Sequence, residues 1–515
     1  MKFTVQRGSA VEAKADALVV PVFEETKKLQ GAAQAVDAAT GGIVGKVLGQ
    51  DFKGKRGETL VLYPSGLGAQ RLVLVGLGKK GEFNAHAARV ARACAAKKLR
   101  DVKCKTAATV MPGAGVRGVD VATAAQALAE GTTMGLYRFD KYKSYAMNGD
   151  GKGDEKPVDL AEVTVLVDEQ RQVAQAQRGI EVGVVIAESV NFTRDLVNES
   201  GKEGYPASIA ERAQMMAKEV GLKCKIYGKA ELEKMGFGAL LAVNSGSANE
   251  ARFVVLEHNP GKGDPLVFVG KGITFDSGGI SIKPSKDMEK MKYDKSGACA
   301  VFGALRAAAL LNVPHHVVGL APLTDNLPSG SSYKPGDVVK AYNGKWIEVV
   351  NTDAEGRMVL SDALAYASKH YKPQAVVDLA TLTGACGIAL GNLYIGIMGT
   401  DRGLMGKVKQ AGERSHERCW EMPFDEEFDD YFKSDIAIAK NAGTGMAGTV
   451  VGGRFLSKFV EGAPWVHLDI ASTAWDEGSG RARFNPELGP GSSGTGVGVR
   501  LLVQLMQDWK PGKRR

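Results

Sequence analysis

Long segments of uninterrupted apolar residues recur through the second half of the chain and limit the folds that it can adopt. Glycine-rich acidic turns and alanine-rich segments with helical spacing separate them. Strands that are apolar on both faces are typical of a sheet covered by helices on both sides. We therefore predict a sheet sandwiched between helix layers. The predicted strands lie at 252–257, 266–269, 316–320, 375–379 and 465–470, with helices at 297–311 and 361–370.

The first third of the chain alternates short apolar segments with helical patterns, which is a βαβ rhythm. A segment with uninterrupted helical periodicity follows, and 515 residues are too many for one ordinary core. We predict an α/β fold of two domains, each a mostly parallel or mixed sheet flanked by helices, joined by a long helix. The predicted parts are an N-terminal domain at 1–170, a connector helix at 171–198 and a C-terminal domain at 199–515.

Composition excludes several classes of protein. The content of 44% hydrophobic and 24% charged residues is that of a globular protein, and no apolar stretch reaches the roughly 18 residues of a membrane span. The first residues lack the apolar core of a secretory signal. Six scattered cysteines without a Cys-x-x-Cys pair fit a reducing compartment. We therefore expect a cytoplasmic protein that does not contact membranes.

The net charge of +8 comes partly from one basic segment, 79–105. Such a segment can neutralise nucleic-acid phosphates, but a helix face in solvent is the simpler interpretation. A second small basic cluster, Lys513–Arg515, ends the chain. The basic residues of the segment are Lys79, Lys80, Arg89, Arg92, Lys97, Lys98, Arg100, Lys103 and Lys105.

Residues 76–81 spell GxGxxG between a predicted strand and a helix, which is the context of a dinucleotide-binding turn. The motif lies about 70 residues into its domain rather than in the first βα unit, and lysines occupy the turn. A glycine-rich turn without a nucleotide is therefore the favoured interpretation. No phosphate-binding GxxxxGK[ST] loop occurs in the sequence.

Acidic residues follow several predicted strands between 267 and 357. They are Asp276, Asp294, Asp353 and Glu355, with glycines that allow close backbone approach. Carboxylates in strand-end loops suit two hard divalent cations, since open α/β sheets bind ligands at this edge. The alternation of Asp353 and Glu355 lets both point the same way from an extended segment. The alternative is a set of surface acidic turns, which the apolar strands before each turn disfavour.

Five motifs in this region resemble the leucyl aminopeptidase family, the cytosolic two-metal exopeptidases. The resemblance in layout extends over the whole chain and implies a macro-like N-terminal α/β domain, a connector helix and a catalytic domain. The motifs are VGKGITFDSGG from 269, SIKP from 281, MKYDKSG from 291, NTDAEGR from 351 and DLATLTGA from 378.

The resemblance implies a role for each site residue. Lys283 and Arg357 would be the catalytic pair, and bicarbonate held by Arg357 would be the general base. Two divalent ions per subunit, manganese or zinc and also magnesium, would be the cofactors. The implied metal ligands are Lys271, Asp276, Asp294, Asp353 and Glu355, with Asp276 and Glu355 bridging. The implied substrate-binding residues are Lys283, Asp294, Met291, Asn351, Thr381, Leu382 and Gly384.

Lys271 must be neutral to bind a metal, and burial beside dications disfavours its ammonium form. The implied function is release of N-terminal residues, leucine and other mainly apolar ones, from peptides by a homohexamer. Apolar, glycine-rich segments at 388–398 and 443–453 are consistent with subunit contacts. DNA binding through the basic segment is the alternative or additional function.

Overall fold

A computed structural model describes residues 1–143, 157–476 and 493–510. The basic cluster Lys513–Arg515 lies outside the described residues. The chain divides into two compact units. The first covers Met1–Glu188 and the second begins at Ser189. The fold class is α/β, with mixed sheets flanked by helices, as predicted. Among the residues described, no helix is both long and apolar enough to cross a bilayer.

The N-terminal unit holds one six-stranded sheet in its described part, in the order β1-β6-β5-β2-β4-β3. Its pairs are parallel except for β3 with β4. The strands are β1 (Lys2–Arg7), β2 (Ala17–Val22), β3 (Thr59–Leu62), β4 (Leu72–Gly76), β5 (Thr106–Val110) and β6 (Glu162–Val167). The helices are α1 (Gly31–Ala39), α2 (Ile43–Val47), α3 (Ala85–Asp101) and α4 (Val121–Gly135), with short 3₁₀ helices at Lys80–Glu82 and Val116–Gly118.

Alternating side chains of β2 and β4 face two separate apolar cores. Val19 and Val73 pack with helices α3 and α4, whereas Leu18 and Leu72 pack with α1 and α2. This alternation is what a sheet with a helix layer on each face requires. Helix α5 (Gln170–Asn198) follows β6, in the region where the sequence predicts a connector helix at 171–198.

The C-terminal unit is built on a nine-stranded mixed sheet. Its order is β16-β15-β18-β14-β9-β11-β8-β7, and β10 pairs with β11. Its strands are β7 (Lys223–Tyr227), β8 (Arg252–His258), β9 (Leu266–Gly270), β10 (Gly272–Asp276), β11 (Val317–Asn326), β14 (Ala375–Ala380), β15 (Ile395–Gly399), β16 (Cys419–Glu421) and β18 (Trp465–Asp469). Two small sheets hold the other described strands of the unit: β12 (Val338–Lys340), β13 (Trp346–Glu348) and β17 (Ala439–Lys440) form one, and β19 (Trp475–Asp476) and β20 (Ser493–Gly494) form the other.

Helices cover this sheet and short 3₁₀ helices connect its parts. The α-helices are α6 (Pro206–Val220), α7 (Lys229–Met235), α8 (Gly238–Asn244), α9 (Ser296–Leu310), α10 (Glu355–His370), α11 (Gly384–Leu390), α12 (Arg402–Ser415), α13 (Gly448–Ser457) and α14 (Val499–Asp508). The 3₁₀ helices are Met288–Lys295 and Glu426–Phe432.

The four central strands β18, β14, β9 and β11 run parallel to one another. Their carboxyl ends therefore meet at one edge of the sheet, which is where open α/β sheets place their ligand sites. Lys271 follows β9, Thr381 follows β14, and Asp469 is the last residue of β18. Asp276 ends β10, a short strand that the apolar pattern does not separate from β9.

Candidate active site

A cavity of about 750 Å³ opens at this edge of the sheet. Every residue that the sequence singled out for the site contributes to its wall, although the residues come from loops more than 100 positions apart. These lining residues are Lys271, Asp276, Lys283, Met291, Asp294, Asn351, Asp353, Glu355, Arg357, Thr381, Leu382 and Gly384.

Three carboxylates converge at the base of the cavity. Asp276, Asp353 and Glu355 each place an oxygen within 4.8 Å of the others. The extended segment predicted for Asp353 and Glu355 is wrong, because Glu355 is the first residue of helix α10 and only Asp353 lies in the preceding turn. An acidic residue in the first helical turn is favoured by the helix dipole. The change in backbone direction still brings both side chains to the same point.

Two lysines bridge the carboxylates. Lys271 Nζ lies 2.8 Å from Asp294 Oδ2 and 2.8 Å from Glu355 Oε1, and it donates to the Thr381 carbonyl at 2.9 Å. Burial lowers the pKa of Lys271, but the charges of Asp294, Glu355 and Asp276 outweigh burial and raise that pKa above its ordinary value. Lys271 therefore carries its proton in this arrangement. The neutral form predicted for it requires that other cations first neutralise the carboxylates.

Lys283 contacts the two carboxylates that Lys271 does not pair with. Its Nζ is 2.8 Å from Asp276 Oδ2 and 2.5 Å from Asp353 Oδ1. The net effect of these charges, against burial, is to raise the pKa of Lys283. The side chain is 22% exposed, so its ammonium group reaches the open cavity. Lys283 is thus a fixed positive charge beside the carboxylates.

The carboxylates carry more negative charge than the two lysines balance. Burial raises the pKa of Glu355 to about 8, and the neighbouring Asp276 adds to the shift. Burial also raises the pKa of Asp294 and of Asp353. Among the described residues, buried Glu355 Oε2 has no hydrogen-bond partner. Four oxygen-donor side chains with a deficit of positive charge and an unpartnered oxygen fit hard divalent cations.

Arg357 stands in the first turn of α10 and is 7% exposed. Burial lowers the pKa of Arg357 to about 10, while Glu355 and Asp469 act in the opposite direction. Its guanidinium carbon lies 6.0 Å from the centre of the Phe455 ring. A planar cation held at the wall of a cavity can bind a carboxylate-like anion through two hydrogen bonds.

Side chains that the sequence did not single out hold the carboxylates in place. Asn326, at the end of β11, donates to Asp276 Oδ1 at 2.8 Å and to the Thr352 carbonyl at 3.0 Å. Tyr333 donates to the same carbonyl at 2.8 Å. The polar Thr-Asp-Asn end of an otherwise apolar strand was the available signal for Asn326.

The outer wall of the cavity is apolar and rich in glycine. Met291, Leu382 and Val451 line it together with glycines of the segments at 384–391 and 443–448. At this wall, Ile388 is 90% exposed and Met446 is 62% exposed. An apolar wall beside a polar base suits a peptide whose side chain is apolar and whose backbone is polar.

The basic segment 79–105 differs from the predicted helix face in solvent. Arg89 and Arg92 of α3 are buried, and Arg89 Nε lies 2.6 Å from Glu130 Oε2 of α4. Arg92 donates to the Val110 carbonyl. These two arginines stabilise the packing of the N-terminal unit because α3 is a core helix, not a surface one. Four lysines of the segment are exposed, and these are Lys79, Lys80, Lys103 and Lys105.

Backbone packing explains the first two of the three GxGxxG glycines. A Cβ on Gly76 would lie 1.9 Å from the Lys55 carbonyl oxygen. Gly78 has a φ of 77° and donates its N–H to the Gly54 carbonyl. Helix α3 starts only at Ala85 and is capped by Asn84, so its N-terminus does not follow the motif directly. These contacts account for Gly76 and Gly78, and the absence of a bound nucleotide stays a prediction.

Comparisons with known proteins agree with this geometry. Residues 191–503 match the catalytic domain of the cytosol aminopeptidase family, and residues 19–145 match its N-terminal domain. Probable cytosol aminopeptidases from Roseiflexus castenholzii and Geobacter sulfurreducens are 41% and 43% identical to the chain. The alignments cover 99% of both proteins in the first case and 91% of both in the second.

Solved structures show the same relationship. A mutant of tomato leucine aminopeptidase is 29% identical, with a TM-score of 0.86 over 98% of this chain and 96% of that one. The bottromycin maturation enzyme BotP in complex with Mn is 33% identical, with a TM-score of 0.82 over 96% and 99% of the chains. The resemblance to leucyl aminopeptidases is confirmed. This chain belongs to the cytosol aminopeptidase family and is an aminopeptidase hydrolase.

Proposed function

We propose that the protein binds two divalent cations in the carboxylate cluster and uses them to release leucine and other mainly apolar residues from the N-termini of peptides. The observation that carries this proposal is that the cluster lacks positive charge, because its carboxylates outnumber its two lysines. Among the described residues, the buried Glu355 Oε2 also has no hydrogen-bond partner. The apolar wall around Met291 and Leu382 supports the preference for apolar side chains.

The proposed metal ligands are Lys271, Asp276, Asp294, Asp353 and Glu355, with Asp276 and Glu355 shared between the two ions. Such a pair polarises a peptide carbonyl and lowers the pKa of a bound water. Oxygen ligands accept manganese, zinc or magnesium. The manganese in the solved BotP complex supports manganese for this chain.

The remaining residues act on the substrate. Lys283, a fixed ammonium group at the cavity, stabilises the oxyanion that forms when the carbonyl is attacked. Arg357 would hold bicarbonate, and the bicarbonate would supply a general base. Asp294 contacts the free α-amine of the peptide and restricts cleavage to N-termini. Met291, Asn351, Thr381, Leu382 and Gly384 border the first residue of the substrate, consistent with their place in the cavity wall.

Hydrolysis of leucyl amide and of acetyl-leucyl amide by the same preparation tests this function. We expect the free amine to be cleaved and the acetylated compound to be inert, because acetylation removes the group that binds at Asp294. A change of rate on exchanging manganese for zinc should accompany cleavage. Comparable cleavage of the two compounds would contradict the proposal.

We further propose a cytoplasmic homohexamer. The exposure of Ile388 and Met446, within the apolar segments singled out in the sequence, supports contacts between subunits. Light scattering at micromolar concentration should give a mass near six times that of the chain. A stable mass near 54.5 kDa would contradict the assembly.

Binding of duplex DNA stays a hypothesis that the exposed lysines of the basic segment support. The test must spare Arg89 and Arg92, whose loss would disturb the core. Replacing Lys79, Lys80, Lys103 and Lys105 by glutamine should abolish salt-dependent binding if the hypothesis holds. Binding that survives these four changes, or none in the unaltered protein, would contradict it.

A further inference from the structure

A buried carboxylate outside the predicted site residues is bonded to the segment that borders the cavity. Asp469 ends β18 and is fully buried. Its Oδ2 accepts the Thr383 hydroxyl at 2.6 Å, and its Oδ1 accepts the Leu382 N–H at 3.3 Å and the Ala471 N–H at 3.1 Å. Both oxygens are therefore used to hold backbone and side chains at the end of the sheet.

The segment 381–383 is bonded to the catalytic cluster at its other end. The Thr381 hydroxyl donates to Asp294 Oδ1 at 2.5 Å, and Lys271 Nζ donates to the Thr381 carbonyl at 2.9 Å. A chain of direct contacts thus runs from Asp469 through this segment to Asp294 and Lys271. The segment follows β14, and Asp469 of β18 pairs with Ala380 of β14. The chain of contacts therefore begins at two strands that are hydrogen-bonded to each other.

We propose that Asp469 is a positioning residue for the aminopeptidase reaction, which fixes the segment 381–383 and, through Thr381, the placement of Asp294 and Lys271. This inference rests on the proposed function only for its kinetic consequence.

The alternative is that Asp469 merely stabilises the fold, and Asp362 provides a matched control. Asp362 is equally buried, lies in α10 outside the cavity wall, and accepts the Leu240 and Tyr342 N–H groups at 2.8 Å each. Both aspartates thus accept two backbone N–H groups, but only Asp469 is linked to the segment 381–383. The substitutions Asp469→Asn and Asp362→Asn make the same change, from a buried carboxyl group to an amide, at the two places.

The variants are compared by kcat and KM for leucyl amide, by Mn²⁺ affinity from calorimetry, and by melting temperature. An amide has one acceptor oxygen and one NH₂ donor, so Asp469→Asn cannot accept the Thr383 hydroxyl and both N–H groups as the carboxylate does. We expect it to lower kcat and Mn²⁺ affinity by about 10- to 100-fold, as loss of a residue that orients metal ligands does, with little change in KM. Asp362→Asn should change the melting temperature alone.

Thr383 supplies a conservative pair of variants. Thr383→Val keeps the shape of the side chain but removes the hydroxyl that Asp469 accepts, and should reproduce the loss seen in Asp469→Asn. Thr383→Ser keeps the hydroxyl and should restore kcat and Mn²⁺ affinity.

The inference is overturned if Asp469→Asn matches Asp362→Asn in both kcat and Mn²⁺ affinity. If the unaltered protein fails to hydrolyse leucyl amide, the proposed function falls. The Mn²⁺ affinities then decide the inference by themselves, since equal affinities for Asp469→Asn and Asp362→Asn would overturn it and a selective loss would support it.

Discussion

Replacing Lys283 by alanine tests whether this lysine stabilises the transition state rather than binding substrate or metal. Its Nζ lies within 2.8 Å of Asp276 and Asp353, and the side chain is 22% exposed. A donor to a developing oxyanion contributes about 2.7–4 kcal/mol to transition-state stabilisation, which is a 10²- to 10³-fold effect on kcat. Because Lys283 is partly solvated, we expect the lower end, about a 100-fold loss of kcat with KM nearly unchanged.

Initial rates of leucyl amide hydrolysis over a range of substrate concentrations separate kcat from KM. Metal content is measured on the same samples, because loss of a cation beside Asp276 and Asp353 should not weaken metal binding. Lys286→Ala is the matched control, since Lys286 is an exposed lysine three positions away that does not line the cavity. A change confined to KM, or an equal effect in Lys286→Ala, would refute the role of Lys283.

The other predictions concern charge in the two units. Asp353→Asn and Glu355→Gln should abolish hydrolysis, since each removes negative charge needed to bind metal. The circular dichroism spectrum of each variant should match that of the parent. Near-normal turnover at full metal occupancy would contradict this prediction. Arg89→Met should lower the free energy of unfolding by about 3–5 kcal/mol because it leaves Glu130 buried without its cation. Urea denaturation measures this loss of stability. The double variant Arg89→Met, Glu130→Leu should recover most of it. An Arg89→Met variant as stable as the parent would show that the ion pair is dispensable.

The sheet of the C-terminal unit could be predicted because its strands are apolar on both faces. Buried parallel strands must read as continuous apolar segments, and the acidic turns that follow them then fall at one edge. The convergence of Lys271 and Asp276 follows from this rule, whereas Glu355 comes after β13, a strand of the separate three-stranded sheet β12-β13-β17. It required no knowledge of the side-chain contacts.

The start of helix α10 could not be predicted from local sequence. Asn351, Asp353 and Gly356 are residues typical of turns, so the pattern indicated a loop up to about Ser361. The structure begins the helix at Glu355 because the buried first turn packs against the site: Gly356 has no room for a Cβ, which would lie 2.5 Å from Lys271 Cε. Tertiary packing overrides local preference here.

Non-local pairing explains the other differences. Arg89 seemed to belong to a basic surface because its partner, Glu130, is 41 residues away in α4. The sequence analysis did not single out Asp469 or Asn326, because only the fold brings them to Leu382 and Asp276. Such pairs carry no periodic signal in the sequence.

The most direct test of the two-cation account is a metal titration of chelator-treated protein, with bound manganese and leucyl amide hydrolysis measured together. The account predicts that metal-free protein is inactive and that activity returns as two ions bind per chain. Glu355→Gln in parallel should not regain activity, because it lacks one of the proposed metal ligands. Full hydrolysis by metal-free protein, or activity that returns without any bound ion, would contradict the account.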